Sequence, residues 1–128
     1  MPASVLIADD DPNIVLALRF LMEKAGYRVR AAADGPSAVA ALNEERPDVV
    51  LLDVMMPGLN GYDVCAAIRA DPGFDATRIV MLTAKGLDAE RSRGLGLGAD
   101  LYVTKPFSTK EVLEKVRALL DGGRGRDG

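Results

Sequence analysis

Asp53 closes the apolar run Asp48-Val49-Val50-Leu51-Leu52 and stands just before Met55-Met56-Pro57-Gly58, so a lone carboxylate is delivered from a buried strand onto a loop. That placement suits a reactive carboxylate. The pattern recurs along the chain. Val5-Leu6-Ile7-Ala8 runs into Asp9-Asp10-Asp11-Pro12, Arg78-Ile79-Val80-Met81-Leu82 runs into Thr83-Ala84-Lys85-Gly86, and Leu101-Tyr102-Val103-Thr104 runs into Lys105-Pro106-Phe107. If these strands are parallel, their four polar termini lie along one edge of one sheet, where open α/β folds place their sites.

Adjacent carboxylates raise each other's cost of ionisation, and a bound divalent cation offsets the repulsion. All-oxygen ligation beside a developing phosphate points to Mg²⁺. Asp11, directly before Pro12, is better read as a helix cap than as a ligand. An acidic pair on a loop is weak evidence alone, but with Asp53 beside them Asp9 and Asp10 read as a metal site. A carboxylate that attacks phosphorus needs a cation, a fixed ammonium and a hydroxyl donor to hold the three phosphoryl oxygens. Mg²⁺, Lys105 and Thr83 supply these. Taken singly, Lys105 is a solvated lysine and Thr83 a strand-end residue; together with the aspartates at four strand ends they make a site.

Composition bounds the framework around that site. A chain of 128 residues with 48% hydrophobic content is one domain, long enough to bury a core. A net charge of −3 and scattered basic residues offer no electrostatic footprint for nucleic acid, so direct binding of DNA or RNA is not expected. The single cysteine, Cys65, falls in a helical pattern and reads as a buried, inert thiol in a reducing compartment. Met1-Pro2-Ala3-Ser4 lacks a basic n-region, and no apolar stretch approaches the roughly 20 residues that cross a bilayer, so a cytoplasmic, soluble protein is expected. The absence of histidine excludes a phosphohistidine carrier, a Ser-His-Asp hydrolase and a His-ligated metal protein.

Short β-rich runs alternate with longer segments of helical period, which predicts βαβ units and a parallel sheet with five strands and five helices. Strands are expected near Val5 to Ala8, Arg28 to Ala32, Asp48 to Leu52, Arg78 to Leu82 and Leu101 to Thr104. The first helix starts at Pro12 with Asp11 as its cap and ends at Gly26, and the fourth ends at Gly98. Ser108 and Glu111 form a capping box for the last helix, which carries Val112, Leu113, Val116, Leu119 and Leu120 at core spacing. Residues 122–128 lack apolar content and read as a disordered tail or linker stump, leaving residues 1–121 as the domain.

The segments Val5 to Pro12, Leu51 to Gly61, Met81 to Lys85 and Lys105 to Phe107, in this order and spacing, resemble the receiver domain of two-component response regulators. The resemblance covers nearly the whole chain. It implies a doubly wound, flavodoxin-like α/β fold with strand order 2-1-3-4-5. It also implies a phosphorylation-dependent signalling switch rather than a turnover enzyme, with Asp53 accepting a phosphoryl group from a histidine kinase or phosphotransfer protein. Carried over by position, Asp10, Asp53 and the Met55 backbone carbonyl would ligate Mg²⁺, with Asp9 acting through water. Lys105 would pair with Asp53 and the phosphoryl group, and the Lys105-Pro106 bond would be cis. Thr83 and Tyr102 would be the switch pair, Tyr102 turning inward as the threonine moves and reshaping the face of the fourth helix, fifth strand and fifth helix. The plainer reading of Tyr102 is a half-buried ring with a hydrated hydroxyl.

The resemblance also locates departures. Winged-helix transcription factors of this family place acidic residues just before this tyrosine and on the fourth helix, where this chain has Leu101 and Leu97, although Arg91 and Glu111 of the same network remain. A monomer, a phosphorylation-dependent dimer of another kind, or a protein partner that takes a more apolar face is therefore expected. In receivers the first helix and the loop equivalent to Pro106-Phe107 meet the phosphodonor. Ile14, Val15, Leu16, Ala17, Leu18, Phe20, Leu21 and Met22 are apolar on more than one face of that helix, so some should stay exposed. Two other classes fit less well. An aspartate phosphohydrolase like the haloacid dehalogenases needs a second aspartate two residues after the nucleophile, where Met55 stands, and a flavodoxin-type cofactor binder would find its phosphate repelled by Asp9-Asp10-Asp11.

Overall fold

In a computed structural model the chain is described for residues 2–58, 60–83 and 98–127, with side chains to Asp121. Five parallel strands form one sheet in the order β2-β1-β3-β4-β5. They are β1 (Ser4–Ala8), β2 (Arg28–Ala32), β3 (Val49–Asp53), β4 (Arg78–Thr83) and β5 (Leu101–Thr104). Helices α1 (Pro12–Lys24), α2 (Gly35–Glu44), α3 (Gly61–Ala70) and the last helix, α4 (Thr109–Asp127), pack around it, and a 3-10 turn spans Pro72–Phe74. The helix expected before Gly98 would lie in residues 84–97, and with it Leu97, Arg91, Ala84 and Lys85; all are outside the described residues.

Each boundary follows from its local chemistry. The Asp11 carboxylate accepts from the amides of Asn13 (2.9 Å) and Ile14 (3.4 Å), satisfying donors that α1 leaves open beside Pro12. Gly26, at φ 98°, closes α1 by donating to Glu23, while Tyr27 donates to Met22, the paired bonds of a glycine-terminated helix. The Ser108 hydroxyl accepts from the Glu111 amide at 3.0 Å, as the capping-box spacing predicts. Strand bounds differ from the sequence reading by one residue: β1 begins at Ser4, β3 runs Val49–Asp53 and β4 ends at Thr83. Asp53 is the final residue of β3 and pairs with Leu82, so ladder bonding extends the strand one residue past its apolar run. The backbone of α4 is helical as far as Asp127.

The inner strands β1 and β3 are buried along their whole length, so strand alternation divides their side chains between two cores. Leu6, Ala8, Val50, Leu52, Ile79 and Met81 face the core shared with α2 and α3. Val5, Ile7, Val49, Leu51, Val80 and Leu82 face the core shared with α1 and α4. Because all five strands run the same way, Asp9, Asp53, Thr83 and Lys105 are brought to one edge.

At the opposite edge, β5 is anchored by an arginine. The Arg69 guanidinium donates to the carbonyls of Gly98 (2.9 Å), Phe74 (3.0 Å) and Thr77 (2.7 Å) and to Asp100 (2.9 Å), and Asp100 accepts from the Ile79 amide at 2.7 Å. This clamp fixes the entry to the strand that carries Tyr102 and leads to Lys105. Arg69→Ala strands the partly buried Asp100 and three carbonyls, and is expected to lower unfolding free energy by about 2–4 kcal/mol. Arg69→Lys should recover little, because an ammonium lacks the planar fork that reaches all four acceptors. Equilibrium urea unfolding checks this; a lysine variant as stable as the native chain would refute it.

Candidate functional site

Strand alternation sets the site. Asp9, Asp53 and Lys105 each follow by two residues a side chain of the α1/α4 core, namely Ile7, Leu51 and Val103, so all three leave the sheet toward the same side. Ligand oxygens of Asp9, Asp10 and Asp53 lie within 4.8 Å of one another. Asp9 and Asp53 are buried, whereas Asp10 is exposed. The Lys105 ammonium sits 3.0 Å from Asp9 Oδ2 and 3.5 Å from Asp53 Oδ2. The other Asp53 oxygen accepts from the Met55 amide at 3.1 Å, and Asp9 Oδ1 accepts from the Asp11 amide at 2.9 Å.

Burial pushes the Asp53 carboxyl up to about 6, and the neighbouring charge of Asp9 pushes in the same direction; the Met55 amide and then Lys105 oppose the rise without cancelling it. For Lys105, burial disfavours the charge, but its contacts with Asp9 and then Asp53 outweigh burial and raise the ammonium above its ordinary value. The cluster therefore holds more negative charge than one lysine neutralises. Asp9 Oδ2, although close to Lys105, is buried with no well-directed hydrogen-bond donor. A buried acceptor in that state, with two further carboxylates at hand and only oxygen donors, fits a hard divalent cation such as Mg²⁺.

Thr83 is buried at the end of β4, opposite Thr104 of β5 and one residue beyond the Leu82 that pairs with Asp53. Alternation places it on the face of Met81, and Tyr102, which pairs with Met81, packs against that same core. Thr83 and Tyr102 thus share one face of the sheet, and Asp9, Asp53 and Lys105 the other, meeting at its edge. The Tyr102 hydroxyl is 2.7 Å from that of Tyr62. The Tyr102 ring is half-buried, as in the plainer reading, and the sequence had not singled out Tyr62. Its only signal was a place just after Gly61, in the first turn of a helix. Met55 offers its amide to Asp53 while its side chain is 70% exposed. On α1, Leu16 and Phe20 are 70% and 65% exposed, Leu18 and Met22 are buried, and the half-buried Ile14 and Val15 pack against the core, so the surplus apolar face exists. Leu16 also lines an open cavity of about 360 Å³ that reaches Asp9 and Asp10. The Lys105-Pro106 bond is cis, and Cys65 is buried. Among the described residues no helix is long and apolar enough to cross a membrane.

A family profile described as the response regulator receiver domain matches residues 5–117. The chain is 46% identical over 120 residues to the DNA-binding response regulator MtrA of Mycolicibacterium smegmatis, covering 94% of this chain and 51% of that protein. It is 41% identical over 124 residues to the sensory transduction protein RegX3 of the same organism, covering 97% of this chain and 53% of that protein. The chain thus spans about half the length of these curated relatives. Among solved structures, the chemotaxis response regulator CheY4 of Vibrio cholerae superposes with a TM-score of 0.86 at 32% identity, covering 93% of this chain and 99% of that one.

The raised Asp53 carboxyl has a measurable consequence. Folding lifts this group from 3.8 to about 6, so ionised Asp53 costs folded-state stability; the cost is complete above about pH 6, shrinks as pH falls toward 3.8 and is absent below it. The isosteric Asp53→Asn variant escapes it. Without divalent cations this variant should be more stable than the native chain at pH 8 by up to about 3 kcal/mol, with the gap closing as pH approaches 4. Urea unfolding in a chelator across that range is the check, and equal stability at pH 8 would contradict the charge balance described.

Proposed function

Because the chain belongs to the response regulator receiver domain family, we propose that it is a signalling switch that accepts a phosphoryl group on Asp53 from a histidine kinase or histidine phosphotransfer protein. The observation that carries this reading is the buried Asp53 carboxylate held 3.5 Å from the Lys105 ammonium and within reach of Asp9 and Asp10 at one sheet edge. The family is one of signalling domains rather than classical enzymes.

The chemistry asked of these residues is limited. An ionised Asp53 oxygen forms a bond to phosphorus while the bond from phosphorus to the donor's imidazole nitrogen breaks, the nitrogen keeping the electron pair. Asp10, Asp53 and the Met55 carbonyl, with Asp9 through water, would hold Mg²⁺, which would supply positive charge to offset the carboxylate repulsion and the developing phosphoryl charge. Lys105 leaves its ion pair with Asp53 Oδ2 to contact a phosphoryl oxygen. The Met55 amide fixes Asp53 Oδ1 and so sets which oxygen is free to attack. Thr83, buried beside the acceptor strand, donates its hydroxyl to another phosphoryl oxygen. Phosphorylation adds about −1.5 to −2 of charge and three acceptors, which draws Thr83 inward and gives Tyr102, on the same face, a reason to move. The face formed by β5 and α4 then reports the modification to an attached output domain or a separate partner. Leu16, which lines the cavity reaching Asp9 and Asp10, and Phe20, exposed one turn further along α1, are the docking surface for the phosphodonor.

Incubation with acetyl phosphate and Mg²⁺ should add one phosphoryl group by intact-mass spectrometry, and omission of Mg²⁺ or the Asp53→Asn change should abolish the gain. A Lys105→Ala chain should be phosphorylated at least tenfold more slowly. A folded native chain that gains no mass would make the domain a binding module instead. Separately, Leu16→Ser with Phe20→Ser should slow transfer from a phosphorylated kinase that serves the native chain by about tenfold, while leaving acetyl phosphate labelling intact. Equal kinase rates in the two chains would remove α1 from the docking surface.

A further inference from the structure

Tyr62 takes no part in the phosphoryl chemistry, yet it is 3% exposed and its hydroxyl meets that of Tyr102 at 2.7 Å. The contact joins a helix to the sheet: Tyr62 is on the first turn of α3 and Tyr102 is on β5, where it pairs with Met81 of β4, and all three belong to one core. A phenol buried to this degree needs a hydrogen-bond partner, and two hydroxyls at this distance share one donor and one acceptor. The residue before Tyr62 explains why the contact is informative. Gly61 is packed so closely on the acceptor strand that a methyl group there would fall 2.3 Å from the Asp53 carbonyl oxygen and 2.8 Å from Val54 Cα. Its amide donates to the Val54 carbonyl at 2.8 Å, and the Asn60 side chain caps the Tyr62 amide at 2.7 Å. The first turn of α3 is therefore bound to the backbone of the phosphoacceptor, and Tyr62 extends that rigid group to the ring of Tyr102.

We propose that Tyr62 is a positioning residue for Tyr102, holding its ring inward through the hydroxyl pair and linking it to the Asp53 backbone by a route through Gly61 that does not pass through Thr83. The inference deepens the reading of Tyr102 as a switch residue and rests on that reading for its signalling consequence. Outward rotation of Tyr102 breaks a part-buried hydrogen bond and leaves the buried Tyr62 hydroxyl without this contact, so the pair biases the ring inward even without phosphorylation. Loss of one hydroxyl should shift the inward-to-outward ratio about tenfold.

The test is NMR of the full chain with ring-labelled tyrosine, which gives three residues to resolve, Tyr27, Tyr62 and Tyr102. Ring exposure is read from relaxation by a soluble gadolinium chelate, with and without acetyl phosphate and Mg²⁺. In Tyr62→Phe, which keeps the ring and the core packing, the Tyr102 signal should move and its relaxation at least double. In Tyr102→Phe, which removes the same bond from the other side, the Tyr62 signal should move as well. A Tyr102 ring unchanged in Tyr62→Phe, or a Tyr62 ring unchanged in Tyr102→Phe, overturns the proposal. If Tyr62→Phe releases the ring while the native Tyr102 signal ignores phosphorylation, the positioning role stands and the switch reading of Tyr102 falls.

Discussion

The structure turns on two buried carboxylates, Asp9 and Asp53, that a single lysine must hold together. Neither is tolerable alone at the end of an apolar strand: burial disfavours the charge of each, and proximity adds repulsion. Lys105 reaches both, at 3.0 and 3.5 Å, and stays charged because their field outweighs its own burial. One positive charge between two negative ones leaves an excess, visible in the raised Asp53 carboxyl. That excess makes the cluster receptive to further positive charge.

The remaining architecture keeps that cluster from relaxing. Parallel register carries three strand termini to one edge, and the strands delivering Asp9 and Asp53 are buried along their length, so neither aspartate can retreat from the other without disturbing both cores. Loops after β1 and β3 are tightened by amides that the aspartates themselves accept, from Asp11 and Met55. Lys105 is aimed by β5, whose far end is clamped by Arg69 and Asp100. Each device limits a degree of freedom that would otherwise let the charges separate into solvent.

Much of this was legible in the residues. Apolar runs that end on Asp9, Asp53, Thr83 and Lys105 reveal strands and site together, since only a parallel sheet makes four such endings coincide. Caps at Asp11, Gly26 and Ser108 are local events, set by neighbours within three residues, and their spacing suffices. The Tyr62–Tyr102 contact and the Arg69 clamp were not legible for the converse reason. Tyr102 is 40 residues from Tyr62 and Asp100 is 31 from Arg69, and hydroxyl or guanidinium groups carry no period that announces which distant acceptor they meet. Strand ends shift by one residue because ladder pairing, not hydrophobicity, decides where a strand stops.

The two faces of the sheet divide the labour of a switch. Charge is collected on the side of α1 and α4, where Asp9, Asp53 and Lys105 emerge. Thr83 and Tyr102 lie on the other parity, toward α2 and α3, where packing rather than charge governs position. Among the described residues, the two sides meet at the strand edge, at groups that reach both. Thr83 is one, through its place at the end of β4; the first turn of α3 is another, because Gly61 rests on the backbone of Asp53 itself. Coupling between the charged side and the packed side is thus carried, among the described residues, by backbone positions that the sheet itself holds in place, so a displacement of the Asp53 backbone cannot leave the first turn of α3 where it is.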